Sequence, residues 1–199
     1  MYLLRTASIV LGILLAASLV VNFHQYRTIV TSRHEHISRV NQVADRLVQE
    51  TADNERMLNE LLKDSTLSAS TLNQLTDTYL DLSKQSGELF NLVKTIDSRN
   101  QTVLNNYTSN IAYLIWMYFR NEQAMIRDIR NLDENERTQI NTILNVTHNW
   151  NQIIKGKTDD HPLSLEKNAR VATDILTGLS EYAEKNYMDL VDKKLIFGK

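Results

Sequence analysis

A chain of 199 residues with a formal charge of −2 and no cysteine is long enough for one ordinary domain and lacks the broad positive field that draws nucleic acid. It also excludes a disulfide scaffold, thiolate metal sites and thiol catalysis. Five glycines and one proline, Pro162, are too few to punctuate a sheet protein, so an all-α fold is expected before any pattern is examined.

The first element is a candidate membrane anchor. From Thr6 to Phe23 the only strongly polar residue is Asn22, with Arg5 before the run and His24, Gln25, Tyr26 and Arg27 after it. A helix rising about 1.5 Å per residue carries such a run across roughly 27 Å, close to a hydrocarbon core of about 30 Å. Tyr2, Phe23 and Tyr26 suit the two interfaces, and the arginines can snorkel to the headgroups. Residues 1–5 are then a short tail, 6–26 a transmembrane signal-anchor helix and 27–199 a soluble helical bundle. Ala16 and Ser18 also fit a cleaved signal peptide, but the apolar run continues past them through Leu19, Val20 and Val21. Arg27, Arg33 and Arg39 follow closely and are candidate contacts for anionic headgroups. Counted as positive-inside residues they point to a cytoplasmic body, whereas the short tail ahead of an apolar run points to an exported one. The expectation adopted is a single-pass membrane protein with its body outside the cytoplasm, at a bacterial envelope, which the absence of cysteine suits.

Beyond the anchor, apolar residues recur in steps of three and four. Ile37, Val40, Ala44, Leu47, Leu58 and Leu61 form the stripe of a helix over about 28–63, with Thr51 and Asn54 as polar interruptions. Residues 64–70, rich in Ser, Thr and Asp, predict a turn and caps. The stripe resumes with Leu72, Leu75, Tyr79, Leu82, Leu89, Val93 and Ile96 in a helix over 70–97, and its preserved heptad register also permits one coiled-coil stalk from 30 to 97. Ser98 and Gln101 have the spacing of a capping box that opens a third helix, 99–131. Within it, Ile111 to Phe119 is apolar on every face, too short to span a bilayer and suited to burial by neighbours. Tyr113, Trp116, Tyr118 and Phe119 are the candidate partner-binding patch, being residue types that dominate interface hot spots.

Asp133, Glu134 and Glu136 predict a cap and first-turn acids for a fourth helix, 134–156, with a stripe of Ile140, Ile143, Thr147, Trp150 and Ile154. Lys157 to Pro162 reads as a loop. A fifth helix, 163–195, has a stripe of Leu165, Ala169, Ala172, Leu176, Leu179, Ala183 and Leu190, with acid-before-base pairs at a spacing of four on its other face. Helices of this kind joined by short turns predict an antiparallel four- to five-helix bundle with coiled-coil-like packing.

Few residues suggest chemistry. His34-Glu35-His36 resembles the start of a zinc-protease motif but has Ser38 where the second helical histidine must stand. Asp159-Asp160-His161 fits a cap better than a metal site, and His148 has no partner that the sequence identifies. The asparagine sequons at Asn100, Asn106 and Asn145 matter only in a eukaryotic secretory pathway. No phosphate-cradling glycine loop or nucleophile elbow is present, so no enzyme, metal, cofactor or nucleic-acid partner is expected. The expected function is structural or interactive: a membrane-held bundle presented to another protein or to copies of itself. The alternative is an extracytoplasmic module that senses a small ligand and signals through a partner, by architectural analogy with exported four-helix receptor domains.

Overall fold

The computed structural model describes the backbone of residues 2–96, 104–126, 128–158 and 165–192, and the side chains of 18–95, 104–126, 128–158 and 170–191. Five helices pack as an all-α bundle: α1 (Tyr2–Asp64), α2 (Ala69–Ile96), α3 (Tyr107–Met125), α4 (Glu134–Thr158) and α5 (Leu165–Asp192). The chain divides into two compact units, 1–39 and 40–199. Within the second unit, α1 and α2, α2 and α3, and α4 and α5 lie antiparallel. Glu50 and Asn54 of α1 meet Gln85 and Thr78 of α2, so that residue numbers rise on one helix as they fall on the other. The same inversion links α2 to α3 through Asn73–Gln123 and Ser83–Ser109. It links α4 to α5 as well, where Gly178 lies against Ile153 and Tyr182 beside Asn149.

The apolar stripes turn inward as their spacing requires. Val40, Leu47, Leu58, Leu72, Leu75, Tyr79, Leu82, Leu89 and Val93 are buried with Ile140, Ile143, Trp150 and Ile154 of α4 and Ala172, Leu176, Leu179 and Ala183 of α5. Thr51 and Asn54, the polar interruptions of the first stripe, are buried too. Thr51 Oγ1 donates to the Leu47 carbonyl at 2.7 Å, and Asn54 Oδ1 accepts from Thr78 Oγ1 at 2.6 Å. Thr51 thereby meets the hydrogen-bonding demand that burial imposes, whereas Asn54 satisfies its oxygen and leaves its buried Nδ2 without a hydrogen-bond partner.

A single stalk from 30 to 97 is overturned by the break between α1 and α2. Ser65 adopts φ 58°, a left-handed conformation that a serine tolerates at some cost, and its N–H closes α1 by donating to the Leu61 carbonyl at 2.9 Å. Ser68 Oγ then accepts from Thr71 N–H at 3.1 Å and caps α2. Between these caps, Thr66–Leu67 (β1) forms a two-residue antiparallel pair with Arg130–Asn131 (β2), in the register Thr66 to Asn131 and Leu67 to Arg130. No alternation in the sequence announces a strand of this length.

The third helix is shorter than the expected 99–131. It begins at Tyr107 because the preceding residues are held elsewhere: Asn105 Nδ2 donates to the Ser180 carbonyl at 3.2 Å, Ser180 Oγ donates to the Asn105 carbonyl at 3.2 Å, and Asn105 Oδ1 accepts from Tyr107 N–H at 3.1 Å. It ends at Met125, where Ile126 turns extended (φ −86°, ψ 130°) and leads the chain into β2. The expected capping residues Ser98 and Gln101 lie outside the described residues, as do Asp159, Asp160, His161 and Pro162. At α4 the reading holds: Asp133 Oδ1 accepts from Glu136 N–H at 2.8 Å and Glu136 Oε2 from Asp133 N–H at 2.9 Å, a reciprocal capping box. The helix passes through Gly156 to Thr158 rather than stopping at the glycine.

Candidate functional site

The aromatic run of α3 divides between core and surface. Phe119 is fully buried and stacks on Tyr79 of α2 with ring centroids 5.7 Å apart; Tyr118 is 5 % exposed and meets Phe119 edge-on at 5.1 Å. These two residues are therefore part of the bundle core and are not available at the surface for docking. Tyr113 is exposed and Trp116 half-buried, with their rings 4.9 Å apart, and the Arg120 guanidinium lies 5.4 Å from the Trp116 centroid. The helical period explains the division: residues three apart share a flank, so 113, 116 and 120 line one side while 111, 115, 118 and 119 face inward. What remains at the surface is a small amphipathic aromatic patch capped by a cation, which matches hot-spot chemistry in type though not in area.

Two polar junctions lie apart from the aromatic run: the first joins α1 to α4 across 93 residues, and the second ties Arg130 of β2 to acids six and eight residues away in α4 and α3. At the first, His148 of α4 lies 2.6 Å from Glu55 of α1 through Nδ1, and Asn151 Nδ2 donates to the other Glu55 oxygen. A carboxylate only accepts, so Nδ1 carries the hydrogen. Burial pushes the Glu55 carboxyl up, but the bonds from Asn151 and His148 outweigh it and hold the group below its usual range. At the second, Arg130 donates to both oxygens of Glu136 and, at 3.1 Å, to Glu122. Those bonds hold Glu136 below and Arg130 above their ordinary values. Burial, and then the facing acids Glu122, Glu136 and Asp133, push the Tyr118 hydroxyl up. Chemically, the first junction presents an oriented, half-exposed imidazole and the second a structural clamp beside β2. Among the described residues no three His, Asp or Glu side chains stand where they could hold a metal ion. His34 and Glu35 are exposed and His36 half-buried along α1.

The first unit carries the other candidate residues. Successive helical residues point about 100° apart, so exposures of 65 %, 69 % and 54 % at Leu19, Val20 and Val21 leave no face of the helix covered there. Phe23, Tyr26, Ile29 and Val30 are exposed as well. Arg27 is exposed with its guanidinium 5.2 Å from the Phe23 centroid, and Arg33 and Arg39 are exposed on the same helix. In the span expected at 6–26, residues 6–17 lie outside the described side chains. Among the described residues no helix is long and apolar enough to cross a membrane.

A crevice lined by Ile111, Ile115, Gln139, Ile143, Val146 and Leu190 lies between α3, α4 and the end of α5, and it leaves no room for a water-sized molecule. Comparison with known proteins adds no identity: no family model matches the chain, and neither a curated protein nor a solved structure matches it.

Proposed function

We propose that this protein is held in a membrane by residues 6–26 and acts at the cell envelope as a structural or protein-interaction module, presenting its helical bundle to another protein or to copies of itself. The observation that carries the reading is the apolar run from Thr6 to Phe23, together with the all-round exposure of its last part at Leu19, Val20 and Val21. A soluble helix uncovered on every side is normally polar; an apolar one needs lipid or protein around it. Arg27 and Arg33 follow at the position where headgroups would lie. On the bundle, Tyr113, Trp116 and Arg120 supply a candidate docking patch. Catalysis forms no part of this proposal.

Protease treatment of intact cells expressing the full chain with a C-terminal tag, combined with alkaline extraction of the membranes, tests it. Retention in the membrane after extraction supports the anchor, and release overturns it. Loss of the tag from intact cells places the bundle outside; survival until the membrane is opened places it inside and makes Arg27, Arg33 and Arg39 the correct topological guide. The sensing alternative has a separate test, since a ligand that binds the folded state raises its unfolding temperature in proportion to occupancy.

A further inference from the structure

The contact between α1 and α2 contains a polar pair with two open ends. Gln85 Nε2 donates to Glu50 Oε1 at 2.6 Å. The second oxygen of each group, Glu50 Oε2 and Gln85 Oε1, is shielded from solvent and has no hydrogen-bond partner. Both are acceptors, because an ionised carboxylate has no hydrogen to give and the amide donates only from its nitrogen. Two buried acceptors in one bonded pair, each without a donor, are expensive, and native interiors avoid them. A single proton placed on Oε2 removes both defects, since the resulting O–H has Gln85 Oε1 as its natural acceptor and leaves no open end.

We propose that Glu50 and Gln85 form a proton-operated joint between α1 and α2: with a proton on Glu50 Oε2 the pair closes as a two-bond ring of carboxylic acid and amide, and when ionised it is held by one bond. The charged groups around it act in both senses. Asp53 of α1 and Asp81 of α2 oppose a negative charge at Glu50, and Arg46 of α1 favours it. Burial is the largest influence and pushes the Glu50 carboxyl up against the opposing Gln85 bond. The sign follows: the folded state holds this proton more tightly than the unfolded chain, so the contribution is fully present below the ordinary glutamate value and is lost as pH rises through the folded one. Glu55 and Glu136, held below their usual range, respond in the opposite direction. Proton uptake at Glu50 thus tightens the α1–α2 contact under mild acid, before the other two junctions begin to fail.

The test compares the full chain in detergent with its Glu50→Gln variant, whose amide supplies N–H where the acid supplies O–H without any dependence on pH. Near pH ~8 the variant is expected to unfold roughly 2–4 °C above the native protein, and the gap should close as pH falls towards ~5. A gap that keeps its size at every pH, or a variant less stable than the native chain at pH ~8, would overturn the proposal in favour of an ionised Glu50 hydrated by an ordered water. Should the variant not fold, a carboxyl-carbon NMR titration of Glu50 in the native chain decides alone. A midpoint above the ordinary value of about 4.3 supports the joint, and one at or below it overturns it.

Discussion

Tyr79 shows how a polar group enters the core without being left open. Thr147 Oγ1 donates to the Ile143 carbonyl at 2.9 Å, so its remaining role towards the Tyr79 hydroxyl, 2.6 Å away, is to accept. Burial pushes that hydroxyl well above its usual range, which keeps it a donor. Tyr79→Phe removes this bond while Thr147 keeps its own, and the ring stays stacked on Phe119. The expected loss is about 0.5–1.5 kcal/mol in denaturant unfolding. Arg130 is less forgiving, because its partner Glu136 is buried and retains its charge. Arg130→Met is expected to lower stability by about 1–3 kcal/mol, less than for a wholly buried pair because the Arg130 side chain is 39 % exposed. The native protein should also lose stability in acid. Glu55 and Glu136 are held below their usual values, so their contribution is present above the unfolded value of about 4.3 and disappears as pH falls through the folded ones. Arg130→Met should flatten that part of the profile, and an unchanged acid limb would show that Arg130 does not hold Glu136.

Among the helices, glycine position distinguishes a close approach from an accident of composition. A Cβ on Gly178 of α5 would stand 2.7 Å from Ile153 Cγ2 of α4, a branch methyl with little freedom to move. The same atom on Gly156 would meet nothing within 4 Å. Both residues sit in helices where alanine is intrinsically better by about 1 kcal/mol. Gly156→Ala is therefore expected to raise stability by about 0.5–1 kcal/mol, whereas Gly178→Ala loses that advantage to a clash costing about 1–3 kcal/mol. Thermal unfolding of the two variants checks the pair, and a stabilising Gly178→Ala would mean that α4 and α5 can separate at no cost. Caps were legible because they are local: Ser68 and Asp133 bond to backbone three residues away. The start of α3 was not, because Ser180, 75 residues distant in sequence, holds Asn105 out of the helix.

At the scale of the whole molecule, the heptad register that ran through both α1 and α2 suggested pairing between copies, yet the bundle consumes it internally. Val40, Leu47, Leu58, Leu72, Leu82, Leu89 and Val93 all lie in its own core. The same spacing continues backwards through Ile37, Arg33, Val30, Tyr26 and Phe23 to Leu19, outside the second unit. Arg33 occupies a core position there, which in a parallel pair would set two like charges against each other. Residues 28–199 are therefore expected to show no coiled-coil dimer through this register when sedimented over a wide concentration range. A concentration-dependent dimer would show that the residues around Val30 and Ile37 pair in spite of Arg33.

What the sequence determined by itself was periodic and local. The three-and-four spacing, the scarcity of glycine and proline, the cap-rich turn at 64–70 and the cap at Asp133 were enough to identify five helices and their inward faces, because helix hydrogen bonds and amphipathic stripes repeat within a few residues. Only the tertiary structure decided which aromatic residues of α3 remained outside, where that helix began and ended, and that Glu55 meets His148 across 93 residues. Helical periodicity specifies which face of an element is apolar, but the partner of a polar side chain is selected by how whole helices align. That alignment results from packing between segments far apart in the chain.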